Sequence, residues 1–167
     1  MSATWSDAIW QQFGAAIDML ENAIVECPDQ VWGNGPRDYW YLVYHTLFWL
    51  DFYLSDSPEE FRPPEPFGLE ELDPSGVFPP RAYGKDEMRR YLRHGRDKCR
   101  TKLERLTDEA AASRYRFHRL DVSVAELLLY NLRHVQHGAA QLNLLLRQKT
   151  NSAPRWVGRA QSNATNG

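Results

Sequence analysis

The last long apolar stretch of the chain, DVSVAELLLYNLRHVQHGAAQLNLLLRQ over residues 121–148, constrains the fold more than any other segment. Its large aliphatic residues recur at steps of three and four, at Val124, Leu127, Leu128, Leu132, Val135, Leu142, Leu145 and Leu146. This spacing is typical of an α-helix that lays one face on a hydrophobic core. The same segment carries His134 and His137, and side chains three apart on a helix are neighbours. The pattern therefore predicts a long helix with two histidines that can point into a shared space.

Three further helices are predicted upstream. The first covers residues 4–26, with an apolar stripe that includes Trp5, and it ends before Pro28. The second covers residues 36–55 and is apolar almost all round, which is typical of a central helix or an oligomer interface. The third covers residues 85–106 and sets an apolar stripe against a basic outer face. We interpret that basic face as exposed to solvent, so no nucleic-acid partner is expected.

A long connection over residues 55–83 separates the second and third predicted helices and holds seven of the ten prolines. It is long enough to cross from one end of a helical bundle to the other. Four long helices without a strand pattern predict an all-α fold, a four-helix bundle with one Pro-rich crossover. Residues 1–150 are expected to form this single domain and residues 151–167 a polar C-terminal tail, in which Trp156 is a candidate for docking on the bundle.

Composition excludes several classes of function. A formal net charge of −2 gives no general attraction to nucleic acid or to an anionic membrane. The most apolar segment, residues 39–54, is too short for a bilayer span, and no signal-peptide pattern precedes it. The two cysteines, Cys27 and Cys99, suit a reducing compartment better than a disulfide framework. These observations predict a cytoplasmic protein with no membrane partner.

The histidines are the candidate metal ligands. His45 lies within the apolar second helix, where a titratable ring needs a partner. Imidazole is a common ligand of zinc, nickel and other transition metals, and helical bundles build metal sites from side chains on facing helices. The alternative is that His45 and His134 are core residues bonded to the backbone or to neighbouring amides. The spacing leaves both interpretations open. His94 lies on the basic face of the third helix and His118 in a loop, so both are expected to be exposed.

Three segments carry a resemblance to a known family. YHTLFWLDFYL, ELLLYNLRHVQHGAAQLNLLLRQ and APRWV resemble the DinB/YfiT-like superfamily of small bacterial metal-binding bundles. The resemblance implies an up-down-down-up bundle, a homodimer, and nickel or zinc held by three histidines. The first two ligands match His45 and His134, whereas Gly138 replaces the third. His137 is then the candidate third ligand, although its direction on an ideal helix differs by about 100° from that of position 138.

Two functions follow from the resemblance and both remain open. One is a metal-dependent enzyme of the thiol S-transferase or hydrolase type, in which the metal lowers the pKa of a thiol or water. Its substrate would be a small molecule or low-molecular-weight thiol, its metal ligands His45, His134 and His137, and its pocket residues Tyr41, Trp49 and Asn131. The other is a metal-free small-ligand-binding or stress-response dimer, in which Gly138 records loss of the metal site. No residue is assigned a catalytic role by either hypothesis.

Overall fold

The computed structural model describes the backbone of residues 3–161 and the side chains of residues 5–161, so part of the predicted tail, residues 162–167, lies outside the described residues. Within that range the helices are α1 (Ala3–Glu26), α2 (Asp29–Trp32), α3 (Tyr39–Tyr53), α4 (Lys85–Glu104), α5 (Asp108–Ala112) and α6 (Val124–Thr150). The strands are β1 (Arg114–Phe117) and β2 (Leu120–Ser123), and a 3-10 turn covers Glu70–Leu72. The chain is mostly helical, as predicted, and α1, α3, α4 and α6 correspond to the four predicted long helices.

These four helices enclose the hydrophobic core. Helix α1 packs against α4 and α6, and α3 packs against the same two helices. The most enclosed helix is α3, in which 11 of 15 residues are buried, including the large side chains of Trp40, Tyr44 and Phe48. A helix with buried neighbours on most sides needs an apolar surface on most sides, which explains its composition. Among the described residues, no helix combines the length and apolarity needed to cross a bilayer.

The start of α3 is three residues later than predicted. Pro36 suggested a first helical turn, but residues 35–38 instead form a turn held by the side chain of Asp38. The carboxylate oxygen Oδ2 of Asp38 accepts hydrogen bonds from the amides of Asn34 and Gly35 at 3.0 and 2.6 Å. Aspartate often stabilises a turn in this way, and the helix begins at the next residue.

The other end of α3 is fixed by lysines from the basic face of α4. Asp51 is fully buried, and Lys98 Nζ lies 2.5 Å from its Oδ1 and donates to its backbone carbonyl at 3.1 Å. Lys102 Nζ donates to the carbonyl of Leu54 at 3.1 Å. A cation at a helix C-terminus interacts favourably with the helix dipole and with unpaired carbonyls. Part of the basic face predicted to be solvated therefore stabilises the fold.

The absence of strands was predicted wrongly. The segment between α5 and α6 forms an antiparallel hairpin in which Arg114 pairs with Ser123 and Phe117 with Leu120. Its tight turn includes His118 at a φ of 49°, and Arg114 forms an ion pair with Asp121 across the strands. The alternation of RYRF is a strand signal, but it is only four residues long and is weaker than the helical periodicity around it.

Two tryptophans were also placed wrongly. Trp5 was predicted in the core stripe of the first helix and Trp156 as a docking residue, yet they are 66% and 71% exposed. The tail is instead attached to α1 through its backbone. The amide of Ala160 donates to the carbonyl of Gln11 at 2.9 Å, and the amide of Gln161 donates to Oδ2 of Asp18 at 2.7 Å.

Helices α3 and α6 are in close contact at Thr46 and Gly138. A methyl group built on Gly138 would lie 2.7 Å from Cγ2 of Thr46 and 3.1 Å from its Cβ, both closer than packed carbon atoms allow. Thr46 cannot turn away freely, because it is fully buried and its hydroxyl donates to the carbonyl of Leu42 at 2.7 Å. Near the same crossing, Asn131 Nδ2 donates to the carbonyl of Leu50 at 3.0 Å. Gly138 is therefore required by the packing of these two helices.

We predict that Gly138→Ala lowers the free energy of unfolding by about 1–3 kcal/mol, because the added methyl overpacks a buried contact. Gly95→Ala is the matched control, since its methyl meets the flexible end of Leu50 and not a branched Cβ. Both changes gain the same helix propensity of about 1 kcal/mol, so their difference in urea denaturation reports the contact. The double variant Thr46→Ala/Gly138→Ala should recover most of the loss. Equal stability of the two single variants would contradict this account.

Candidate functional site

The crossing of α3 and α6 brings two of the predicted ligands together. The ring centroids of His45 and His134 lie 5.5 Å apart, with an angle of 60° between the ring planes. His45 is partly open to solvent, with 38% of its side chain exposed, whereas Nε2 of His134 is buried and the His134 ring is nearly perpendicular to the Tyr53 ring. The structure therefore places the rings of His45 and His134, from two neighbouring helices, next to each other.

A carboxylate that the sequence analysis did not identify lies against this pair. Glu71, in the 3-10 turn of the crossover, places Oε2 at 2.7 Å from Nδ1 of His45 and accepts from Trp49 Nε1 at 2.9 Å. Its other oxygen accepts from the Tyr41 hydroxyl at 2.7 Å, and only 6% of the Glu71 side chain is exposed. Burial by itself raises the pKa of this carboxyl, but the interactions with His45, Tyr41 and Trp49 outweigh it and the pKa is lowered.

His134 contains an unpaired ring nitrogen. Its Nε2 is buried and has no hydrogen-bond partner among the described residues. Burial, followed by electrostatic interaction with His45 and His137, lowers the pKa of His134 to about 4 against an opposing effect of Glu71. The ring is consequently neutral at neutral pH, and a neutral imidazole has one nitrogen with a free lone pair.

The remaining predicted residues have different positions. His137 is exposed, and it lines with His134 a shallow pocket of about 450 Å³ whose other residues are Tyr130, Arg133, Gln136 and Ala140. Asn131 lies in the core between α3 and α6 and does not line this pocket. Tyr41 and Trp49, which lie on α3 with His45, both donate hydrogen bonds to Glu71. His94 and His118 are exposed, as predicted.

The residues present provide two of the three ligands that a metal site of the expected kind requires. His45 and His134 fit this role, because one ring is oriented by a carboxylate and the other has a buried unpaired nitrogen. The third position does not fit, since Gly138 is packed on Thr46 and the His137 ring is exposed. In keeping with this, no three His, Cys, Asp or Glu side chains within residues 5–161 are grouped so as to hold a metal ion.

A larger cleft of about 850 Å³ lies elsewhere, between the end of α3, α4 and the hairpin. Two of the cations that line it are already paired, because Lys98 contacts Asp51 at 2.5 Å and Lys102 contacts Asp56 at 2.8 Å. None of the predicted site residues lines this cleft. The histidine pair therefore remains the better candidate, although the pocket that His134 lines is smaller.

Comparison of the chain with models of protein families, with curated proteins and with solved structures found no match in any of the three. The fold and the site geometry are therefore interpreted from the residues of this chain.

We predict that His134 makes the fold less stable in acid. Its pKa is about 4 in the folded state against an ordinary value of 6.5, so the unfolded chain takes up a proton first as the pH falls from 6.5 to 4. His134→Leu removes this proton uptake. Between pH 7.5 and 4.5 the stability of wild type should fall relative to the variant by about 2 kcal/mol.

Urea denaturation of both proteins at the two pH values, in the presence of a chelator, measures this change. The part of the difference in unfolding free energy between wild type and His134→Leu that does not vary with pH reports packing. An identical difference at both pH values would show that His134 is not held neutral by burial.

Proposed function

We propose that the protein binds a divalent metal, nickel or zinc, between His45 and His134. The observation that carries this proposal is the buried Nε2 of His134, which has no partner among the described residues and belongs to a ring whose centroid lies 5.5 Å from that of His45. Leaving a buried polar atom unpaired costs about 1–3 kcal/mol, so such an atom calls for a function. A neutral imidazole in this position is suited to coordinate a transition metal.

We further propose that the chain has the DinB/YfiT-like up-down-down-up four-helix arrangement and acts as a metal-dependent enzyme of the thiol S-transferase or hydrolase type. A bound metal would supply acidity to a thiol or to water. His45 and His134 would hold it from two helices, and exposed His137 would complete the ligand set by changing rotamer. Trp49 and Tyr53 form aromatic walls beside the two rings, which suits a small molecule with an apolar part.

The remaining expectations are kept as parts of the same proposal. A homodimer is supported by apolar side chains on the outer surface of α6, where Leu129 and Leu144 are 52% and 56% exposed. A cytoplasmic location and the absence of a nucleic-acid partner are supported by the two buried, unpaired cysteines and by the internal use of Lys98 and Lys102.

Metal loading tests the proposal. After incubation with nickel or zinc and removal of excess ion, the wild type should retain about one metal ion per chain, measured by elemental analysis. His45→Ala and His134→Ala should each abolish retention, because each removes a ligand. His137→Ala should weaken retention if its ring is the third ligand.

His118→Asn is the matched control, because His118 is exposed in the hairpin turn and asparagine tolerates its left-handed backbone. This variant should load like wild type. A wild type that retains no metal, or a control that loses as much metal as His134→Ala, would exclude the histidine pair as a metal site.

A second candidate is a metal-free protein that binds a small ligand. The contact between Gly138 and Thr46 favours it, because a histidine at position 138 would have no room unless the helices moved apart. Thermal unfolding with bacillithiol, mycothiol or glutathione, each with and without chelator, separates the candidates. A ligand-induced rise in Tm that survives the chelator supports the metal-free protein, and a rise that the chelator abolishes supports the metal enzyme.

A further inference from the structure

Glu71 contacts one continuous face of α3. Its three donors, Tyr41, His45 and Trp49, are spaced four residues apart and therefore stack along the helix. The contact with His45 joins residues 26 positions apart in sequence. One carboxylate from the crossover thus connects this segment to the predicted ligand and to the aromatic side chains above and below it.

The hydrogen-bond chemistry of this group fixes the state of the His45 ring. An indole N–H can only donate, so Oε2 of Glu71 is an acceptor from Trp49, and an ionised carboxylate has no hydrogen to give. The 2.7 Å contact to His45 therefore requires a hydrogen on Nδ1. In the neutral ring the lone pair must then be on the other nitrogen, Nε2.

We infer that Glu71 is a positioning residue that holds the neutral His45 ring in the Nδ1–H form and presents Nε2 as a ligand atom. Metal-binding histidines generally donate their second nitrogen to a carboxylate or carbonyl, which orients the ring and increases its basicity. This inference rests on the proposed function where it concerns a metal, but the state of the ring can be measured in the metal-free protein.

A merely structural role for Glu71 makes a different prediction. If the carboxylate only anchored the crossover, loss of any one of its hydrogen bonds would have a similar effect. Tyr41→Phe removes the bond to Oε1 and leaves the contact between Oε2 and His45 in place. It is therefore the matched control for Glu71→Met, which keeps about the length of the side chain but has no oxygen to accept a hydrogen bond from Nδ1.

The first experiment is long-range proton–nitrogen NMR of the histidine rings in metal-free protein, at a pH where the His45 signals show a neutral ring. Wild type and Tyr41→Phe should show His45 with hydrogen on Nδ1, whereas Glu71→Met should convert it wholly or partly to the Nε2–H form. A wild-type ring already in the Nε2–H form, or a ring that Glu71→Met does not change, would overturn the inference.

The second experiment measures nickel affinity by isothermal titration. Glu71→Met should weaken binding about 10–100-fold, and Tyr41→Phe should change it by less than about 3-fold. Equal weakening by both variants supports a structural anchor and overturns the inference. A wild type that binds no nickel while keeping the Nδ1–H ring overturns the proposed function and leaves the ring assignment established. If Glu71→Met loses its helical circular dichroism, Glu71→Asp replaces it, because its shorter side chain draws the carboxylate away from Nδ1.

Discussion

The close approach of α3 and α6 is the constraint on which the rest of the structure depends. Thr46 and Gly138 allow two backbones to come together where larger side chains would hold them apart. The rings of His45 and His134 lie beside that crossing, with their centroids 5.5 Å apart. The absence of a side chain at position 138 therefore has two effects, since it lets the two helices come together and leaves no side chain there that could bind a ligand.

The sequence predicts the long helices well because each carries an apolar periodicity that extends over several turns. Their ends are less predictable, as the start of α3 shows, because a side chain in the preceding turn decides the boundary. The hairpin between α5 and α6 was missed because its alternation covers only four residues in each strand. Trp5 shows a further limit, since the first turn of a helix can follow the periodicity and still extend beyond the core.

The site could be predicted only in part for a related reason. Helical spacing places His45 on one face of its helix with Tyr41 and Trp49, but it does not show which residues of the neighbouring helix this face meets. Glu71 lies in a crossover without periodicity, and nothing local indicates which of its many acidic residues turns inward. The position of Asn131 in the core is equally difficult to predict from the sequence, because an amide on a helix can pair with a backbone carbonyl or line a pocket.

The attachment of the crossover to α3 has a thermodynamic consequence. Glu71 is buried against Tyr41, His45 and Trp49, so the crossover can detach only if the His45 ring loses its partner. A ligand that draws electron density from the opposite nitrogen makes the Nδ1–H a better donor and tightens this contact. By linkage, the segment that holds the ring and any ligand bound to that ring would stabilise each other by the same free energy. Amide hydrogen exchange in the crossover would then slow on ligand binding, at residues that the ligand never touches.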